Sequence, residues 1–153
     1  MNNIITIPNI EEYTQQIING NLILTRIINW INESHLLKFN LKKSHIVECI
    51  FNNEYYDIMK YKKLLLIIYQ NIDKNIIIKH STLNISCDEL YEKGFEYYDN
   101  IGLSIQGADS KRTLKEIINI CKIQKYNLEL KIKLQNNEIV NFKNILSPIS
   151  INS

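Results

Sequence analysis

The sequence predicts an α+β fold in which helices pack on one face of a mainly antiparallel sheet. Two neighbouring patterns within 93–142 carry the prediction: a helical apolar stripe over about 110–124, and alternation of apolar and charged residues over 128–134. From residue 44 onward the chain reads strand–helix–strand, then strand–helix–strand. This order is compatible with a ferredoxin-like βαββαβ arrangement that carries an added C-terminal hairpin strand.

The helix predicted over 110–124 has a well-marked start and one apolar side. Its apolar stripe consists of Leu114, Ile117, Ile118 and Cys121. Two caps fit the start: Asp109, or Thr113 with Glu116 in capping-box spacing, since either can accept from the free N–H groups of the first turn.

The strand that follows is predicted to return as a hairpin through residues 135–137. A three-residue loop pairs Ile132 with Val140 and Leu130 with Phe142, which keeps apolar side chains on one face. A two-residue loop would mix apolar and polar residues on each face. The sequence therefore favours the three-residue loop, which Asn residues suit because they tolerate a left-handed backbone.

The middle of the chain gives weaker patterns. Residues 44–51 predict a strand, and 52–53 a turn. A helix is expected over about 58–72, with Asp57 as its cap and with Met59, Leu65, Ile68 and Ile72 as core candidates. A short strand is expected over 76–79, with 81–86 as its return partner. Residues 95–106 read as extended, either one bulged strand or a tight hairpin.

The N-terminal part is predicted to be a mainly helical extension, residues 1–43, packed on an α+β core of residues 44–143. Asn9 can cap a helix with apolar residues to Ile18, and residues 27–31 suggest a second helix. Residues 144–153 are expected to form a tail. The 153 residues are enough for one domain with a real core.

Composition excludes several classes of function. The 18 basic and 16 acidic residues give a net charge of +2, which argues against a strongly electrostatic nucleic-acid binder. Three cysteines, an odd number, and the lack of a visible secretory signal indicate a reduced, intracellular protein. The longest apolar run, 64–69, is too short to span a bilayer, so no membrane association is expected.

A nucleic-acid face is one candidate function. Residues 93–98 partly match the RNA-recognition-motif signature, in which a basic residue and Gly precede aromatics at alternate positions. Glu96 and the pair 99–100 depart from it. A second anion site is conceivable at the helix start, 107–112, although an ordinary cap explains it better. The residues for this reading are Lys93, Phe95, Tyr97, Lys111, Arg112 and Lys131.

Metal and catalytic chemistry find little support. His45, Cys49, His80 and Cys87 are suitable zinc ligands, but their spacing matches no metal-binding motif, and buried thiols are the simpler interpretation. The histidines have no nucleophile or acid partner in a recognisable motif. We therefore assign no catalytic, metal or cofactor-binding residue, and expect no cofactor.

Protein contacts are the favoured function. Tyr is abundant, with nine copies, and the pair Tyr97–Tyr98 places one ring on each face of a strand. Exposed Tyr favours protein interfaces, and the outer strand 138–143 leaves an edge for pairing. The sequence thus favours a non-enzymatic intracellular interaction or assembly module, with a protein partner or self-association. RNA or single-stranded nucleic-acid binding is the alternative, and a small enzyme the third choice.

A resemblance in composition indicates where the protein acts. The segments GFEYYDNIGLSIQGADSKRTLKEIINIC (94–121) and SHIVECIFNNEYYDIMKYKKLLL (44–66) resemble, in their Ile/Asn/Lys bias, uncharacterised proteins of mimivirus-type giant DNA viruses. The resemblance implies a viral protein that acts in an infected cell or in a virion, and it carries over no site residue. Other AT-rich genomes, including those of some bacteria and protists, share the bias.

Overall fold

The computed structural model describes residues 11–18 and 21–144. Within these residues the strands are β1 Glu11–Ile18, β2 Asn21–Ile31, β3 His45–Phe51, β4 Glu54–Tyr56, β5 Ile85–Ser86, β6 Phe95–Tyr98, β7 Leu103–Gln106, β8 Leu128–Lys133 and β9 Ile139–Asn144. The helices are α1 Glu33–Leu36, α2 Tyr61–Tyr69, α3 Lys74–His80 and α4 Ser110–Gln124. The predicted tail beyond Asn144 lies outside the described residues.

The larger sheet has six strands in the order β1-β2-β9-β8-β3-β4. All neighbours are antiparallel except β2 and β9, which are parallel. Alternate side chains of β8 are buried, so one face of this strand joins the core and the other carries charged groups such as Lys131. The helices α2 and α4 contact each other and contribute their apolar stripes to the same core.

The smaller sheet has three antiparallel strands in the order β5-β7-β6. Residues 95–106 therefore form a hairpin, which decides between the two readings of that segment. Leu103 and Ile105 of β7 are buried in the core, and directly paired side chains share a face. The register thus places Glu96 and Tyr98 on the core side of β6, and Phe95 and Tyr97 on its outer side.

The helix α4 and the β8–β9 hairpin confirm the predictions made for them. The helix spans Ser110–Gln124, and the Asp109 side chain accepts a hydrogen bond from the Arg112 N–H, so Asp109 is the cap. The hairpin pairs Ile132 with Val140 and Leu130 with Phe142 across the three-residue loop. The alternative capping box is wrong, because Thr113 is an interior residue of α4 and so cannot be its N-cap.

The C-terminus of α4 offers a stability prediction. Lys125 adopts a left-handed backbone, with φ at 57°, and its N–H closes the helix by bonding to the Cys121 carbonyl. Because glycine takes this conformation without strain, Lys125→Gly should raise the free energy of unfolding by about 0.5–1 kcal/mol. In contrast, Gln124→Gly, within the helix, should lower it by a similar amount. Chemical denaturation measures both, and a destabilised Lys125→Gly would contradict this account of the cap.

The predicted N-terminal helices are wrong for the described residues, which form strands. β1 pairs with β2 over eight residues, from Glu11 opposite Ile28 to Ile18 opposite Asn21. β2 in turn hydrogen-bonds β9, which therefore lies between β2 and β8, so the open edge predicted for strand 138–143 is wrong. Short apolar runs cannot separate helix from strand by spacing, and here pairing partners distant in sequence decide. The predicted start of the first helix at Asn9 lies outside the described residues.

Three predictions between residues 57 and 80 are also wrong. α2 begins after Lys60 without a side-chain cap, so Asp57 does not cap it, and Met59 is exposed rather than in the core. Residues 76–79 belong to the helix α3, not to a strand. Asp73 accepts a hydrogen bond from the Asn75 N–H and starts this helix.

The α+β class with a mainly antiparallel sheet is confirmed. The ferredoxin-like order is not confirmed, because it requires one sheet, whereas β6 and β7 are separate from the sheet that holds β3 and β8. Across the ranges described, no helix has the length and apolar character needed to cross a membrane.

Candidate functional site

One surface is built on the outer side of the small sheet. Among the residues described, half-buried side chains packed against the core include Tyr98, but neither Phe95 nor Tyr97. Tyr91, from the preceding loop, lies edge-on to Tyr97, with ring centroids 6.4 Å apart. Tyr91 is also 67% exposed. The sheet therefore presents an aromatic cluster to its surroundings.

Hydrogen bonds fix the loop that brings Tyr91 to this cluster. The Ser104 hydroxyl on β7 donates to the Asp88 carbonyl at 2.6 Å and accepts from the Leu90 N–H at 2.8 Å. Ser104 lies opposite Tyr97 on the outer side, so the loop is held against the sheet beside that ring. The Gln106 side chain also donates to the Lys93 carbonyl at 2.9 Å, which fixes the start of β6.

Carboxylates surround this aromatic cluster. The stretch 88–99 contains five acidic residues and one basic residue, Lys93. The Tyr91 hydroxyl donates to Glu89 at 2.8 Å, and this bond is the largest cause of a raised Tyr91 pKa, with the Asp99 charge adding to it. We call the surface the acidic–aromatic face, formed by Tyr91, Phe95 and Tyr97 with Asp88, Glu89, Glu92 and Asp99.

The fifth carboxylate of this stretch belongs to the core side. Glu96 accepts a hydrogen bond from the Lys62 ammonium group at 3.2 Å, and the same ammonium lies 5.2 Å from the centre of the Tyr98 ring. Lys62, through this bond above all, lowers the pKa of Glu96. Lys62 thus balances the negative charge of Glu96 within the molecule. No ion pair of this kind is found for the carboxylates of the acidic–aromatic face among the described residues.

A second surface is a groove of about 710 Å³ between the loop 38–43 and the first residues of α4. Four lysines line it, and Asp109 is the single acidic residue among the described lining residues. Because Asp109 caps α4, its carboxylate already has a hydrogen-bond partner. We call this the basic groove, lined by Lys38, Lys42, Lys43 and Lys111.

The six residues predicted for nucleic-acid contact do not form one surface. Lys93, Phe95 and Tyr97 lie at the acidic–aromatic face, while Lys111 lines the basic groove. Arg112 is exposed on α4 next to Lys111 and is not among the lining residues. Lys131 is on β8, in the larger sheet, opposite Glu48 and Asn141 of the neighbouring strands. Sequence reasoning missed the loop 38–43, whose three lysines meet α4 only in the folded chain.

A buried carboxyl group was also missed by sequence reasoning. Glu116 is fully buried and accepts hydrogen bonds from the Tyr69 hydroxyl, and from the Thr82 N–H and hydroxyl at 2.9 and 2.8 Å. Burial first, and then the neighbouring Glu116, raises the pKa of Tyr69 well above its usual value. Through these hydrogen bonds the Glu116 carboxyl group links α2, α4 and the segment after α3. Because its hydrogen-bonding capacity is met by these partners, we assign Glu116 a structural role.

The residues considered for zinc have different environments. His45 is on β3, His80 ends α3, and Cys49 is buried whereas Cys87 is exposed. A search of the described ranges for three or more His, Cys, Asp or Glu placed around a common point finds no candidate metal cluster.

The thiols should differ sharply in reactivity. Burial raises the pKa of Cys49 to about 11 and is the largest cause of raising that of Cys121 to about 12, so both stay protonated at pH 8. We expect an aromatic disulfide reagent at pH 8 to label one thiol, Cys87, in the native protein and three after unfolding. A Cys87→Ser variant should show no rapid labelling. Rapid reaction of a second native thiol would contradict the burial of Cys49 and Cys121.

Comparison with protein-family models, curated proteins and solved structures finds no match to this chain. The geometry and charge of the two surfaces are therefore the features that bear on function.

Proposed function

We propose that the protein is a non-enzymatic interaction module that binds another protein through its acidic–aromatic face. The observation that carries the proposal is the placement of Phe95 and Tyr97 on the outer side of β6, next to the 67% exposed ring of Tyr91. Aromatic rings at a surface are enriched in protein interfaces, because they bury a large area at a small entropic cost. The resemblance in composition makes an infected cell or a virion the setting we propose.

Charge favours a protein partner over nucleic acid at this face. Phosphate groups would meet Asp88, Glu89, Glu92 and Asp99, and like charges brought together at an interface are unfavourable. A partner with lysine or arginine side chains would instead pair with these carboxylates and stack on the tyrosine rings. The face thus suits a protein surface that carries exposed cations.

The experiment compares two tyrosines of similar exposure. Tyr91 is 67% exposed in the face, and Tyr55 is 63% exposed on β4, in the other sheet. The wild type, Tyr91→Ala and Tyr55→Ala are each immobilised and incubated with an extract of the cells in which the protein is naturally made. The proteins that each variant retains are then quantified. We expect Tyr91→Ala alone to lose retained partners. Equal retention by both variants, or equal loss, would overturn the proposal.

Nucleic-acid binding is the second candidate, and the basic groove is the observation that favours it. Four lysines around a groove of about 710 Å³ could neutralise several phosphates. A labelled single-stranded RNA tests this by fluorescence anisotropy at increasing salt. We expect Lys42→Ala with Lys43→Ala to weaken binding and flatten its salt dependence, and Lys79→Ala, exposed on α3, to leave it unchanged. Identical curves for the groove variant and wild type would exclude this candidate.

A further inference from the structure

We propose that the partner of the acidic–aromatic face is the basic groove of a second copy of this chain. The inference deepens the proposed function, on which it rests, by naming the partner. The net charge of +2 conceals two surfaces of opposite sign. The face holds Asp88, Glu89, Glu92 and Asp99 against Lys93, a net charge of −3. The groove holds Lys38, Lys42, Lys43 and Lys111 against Asp109, a net charge of +3.

Shape supports the pairing as well as charge. The groove is concave and has a volume of about 710 Å³. Tyr91, at 67% exposed, is among the most exposed large side chains, and its ring projects from a loop that is hydrogen-bonded to β7. A pre-ordered ring entering a groove lined by cations gains cation–π contacts at little entropic cost. Lys62 over Tyr98 is the same contact already formed within one chain.

The two surfaces are neighbours, which favours a closed dimer. The Gly107 N–H donates to the Gly94 carbonyl at 2.9 Å, and this bond joins the residue before Phe95 to the residue before Ala108 of the groove. When complementary surfaces are adjacent on one molecule, a two-fold axis allows each copy to offer its face to the other's groove. Both contacts then form at once, and assembly stops at two copies.

The test is an exchange of charge. One variant reverses the groove, with Lys42→Glu and Lys43→Glu, and the other reverses the face, with Glu89→Lys and Glu92→Lys. We expect wild type to be a dimer by size-exclusion chromatography with light scattering, and the dimer to weaken as salt rises. Each variant alone should be monomeric, with its dissociation constant raised at least about tenfold. An equimolar mixture of the two should restore dimers, as should a chain carrying all four changes.

The controls and outcomes of this test distinguish a second copy of the chain from another protein partner and from nucleic acid. Lys79→Glu, a reversal on α3 away from both surfaces, should leave the dimer intact, and far-ultraviolet circular dichroism should confirm that every variant is folded. A monomeric wild type, or dimers that the mixture fails to restore, would overturn the inference. If the wild type is monomeric while Tyr91→Ala still loses a different retained protein, the proposed function stands and only the second copy is excluded. Elution of the wild type with bound nucleic acid would overturn the inference in favour of the second candidate function.

Discussion

Phe142→Ala is expected to lower the free energy of unfolding by about 3–5 kcal/mol, whereas Phe95→Ala should lower it by only about 1 kcal/mol. The chemical change is the same, but the surroundings differ. Phe142 is 1% exposed, on the core face of β9 between Leu130 and Ile31. Phe95 is half-buried, on the outer side of β6 and outside the core.

Denaturant titration of the two variants measures this difference. A loss of 3 kcal/mol or more for Phe95→Ala would place its ring in the core and would remove the basis for the acidic–aromatic face. The unfolding slope with denaturant should stay the same in both variants, so that the change in midpoint reports stability.

Glu116→Ala is expected to cost about 2–4 kcal/mol of stability, because it leaves donors in the interior without their acceptor. The Tyr69 hydroxyl keeps a second partner, Ser81, at 3.2 Å, which limits its loss. The two Thr82 donors lose the acceptor that holds the segment after α3 against α4.

Two matched variants separate the hydrogen bonds from the general effect of mutating this helix. Glu116→Gln keeps a carbonyl oxygen for Thr82, so its cost should be smaller than that of Glu116→Ala. Lys115→Ala, one residue earlier and exposed, should change stability by no more than about 0.5 kcal/mol. If Glu116→Ala unfolds at the same denaturant concentration as Lys115→Ala, the network does not stabilise the fold.

Where local sequence patterns agreed with the tertiary environment, the sequence predicted the fold. The α4 stripe and the β8 alternation each extend over several residues, and a register slip in the β8–β9 hairpin would expose apolar side chains, so both elements could be read directly. The strands β1 and β2 could not be predicted in this way, because their short apolar runs fit both helical and strand spacing. The pairing of β2 with β9 also joins parts of the chain that are distant in sequence.

The candidate surfaces were only partly predictable for the same reason. The alternation of β6 indicated that Phe95 and Tyr97 share a face, but which face is buried depends on the pairing with β7. The basic groove combines residues 38–43 with 108–111, and no local pattern joins segments that far apart. The charges of the acidic–aromatic face are visible in the sequence, but the sequence does not show which aromatic rings lie among them.

The central claim is that the acidic–aromatic face is the contact surface. Hydroxyl-radical footprinting tests it most directly, by comparing the protein alone at low concentration with the protein bound to its partner. Tyr91 and Tyr55 start from similar exposure, 67% and 63%, and report on different sheets. If the acidic–aromatic face is the contact surface, complex formation should protect Tyr91 strongly and leave the oxidation of Tyr55 unchanged. Protection of Tyr55 with Tyr91 still fully reactive would contradict the claim and would place the interface on the larger sheet.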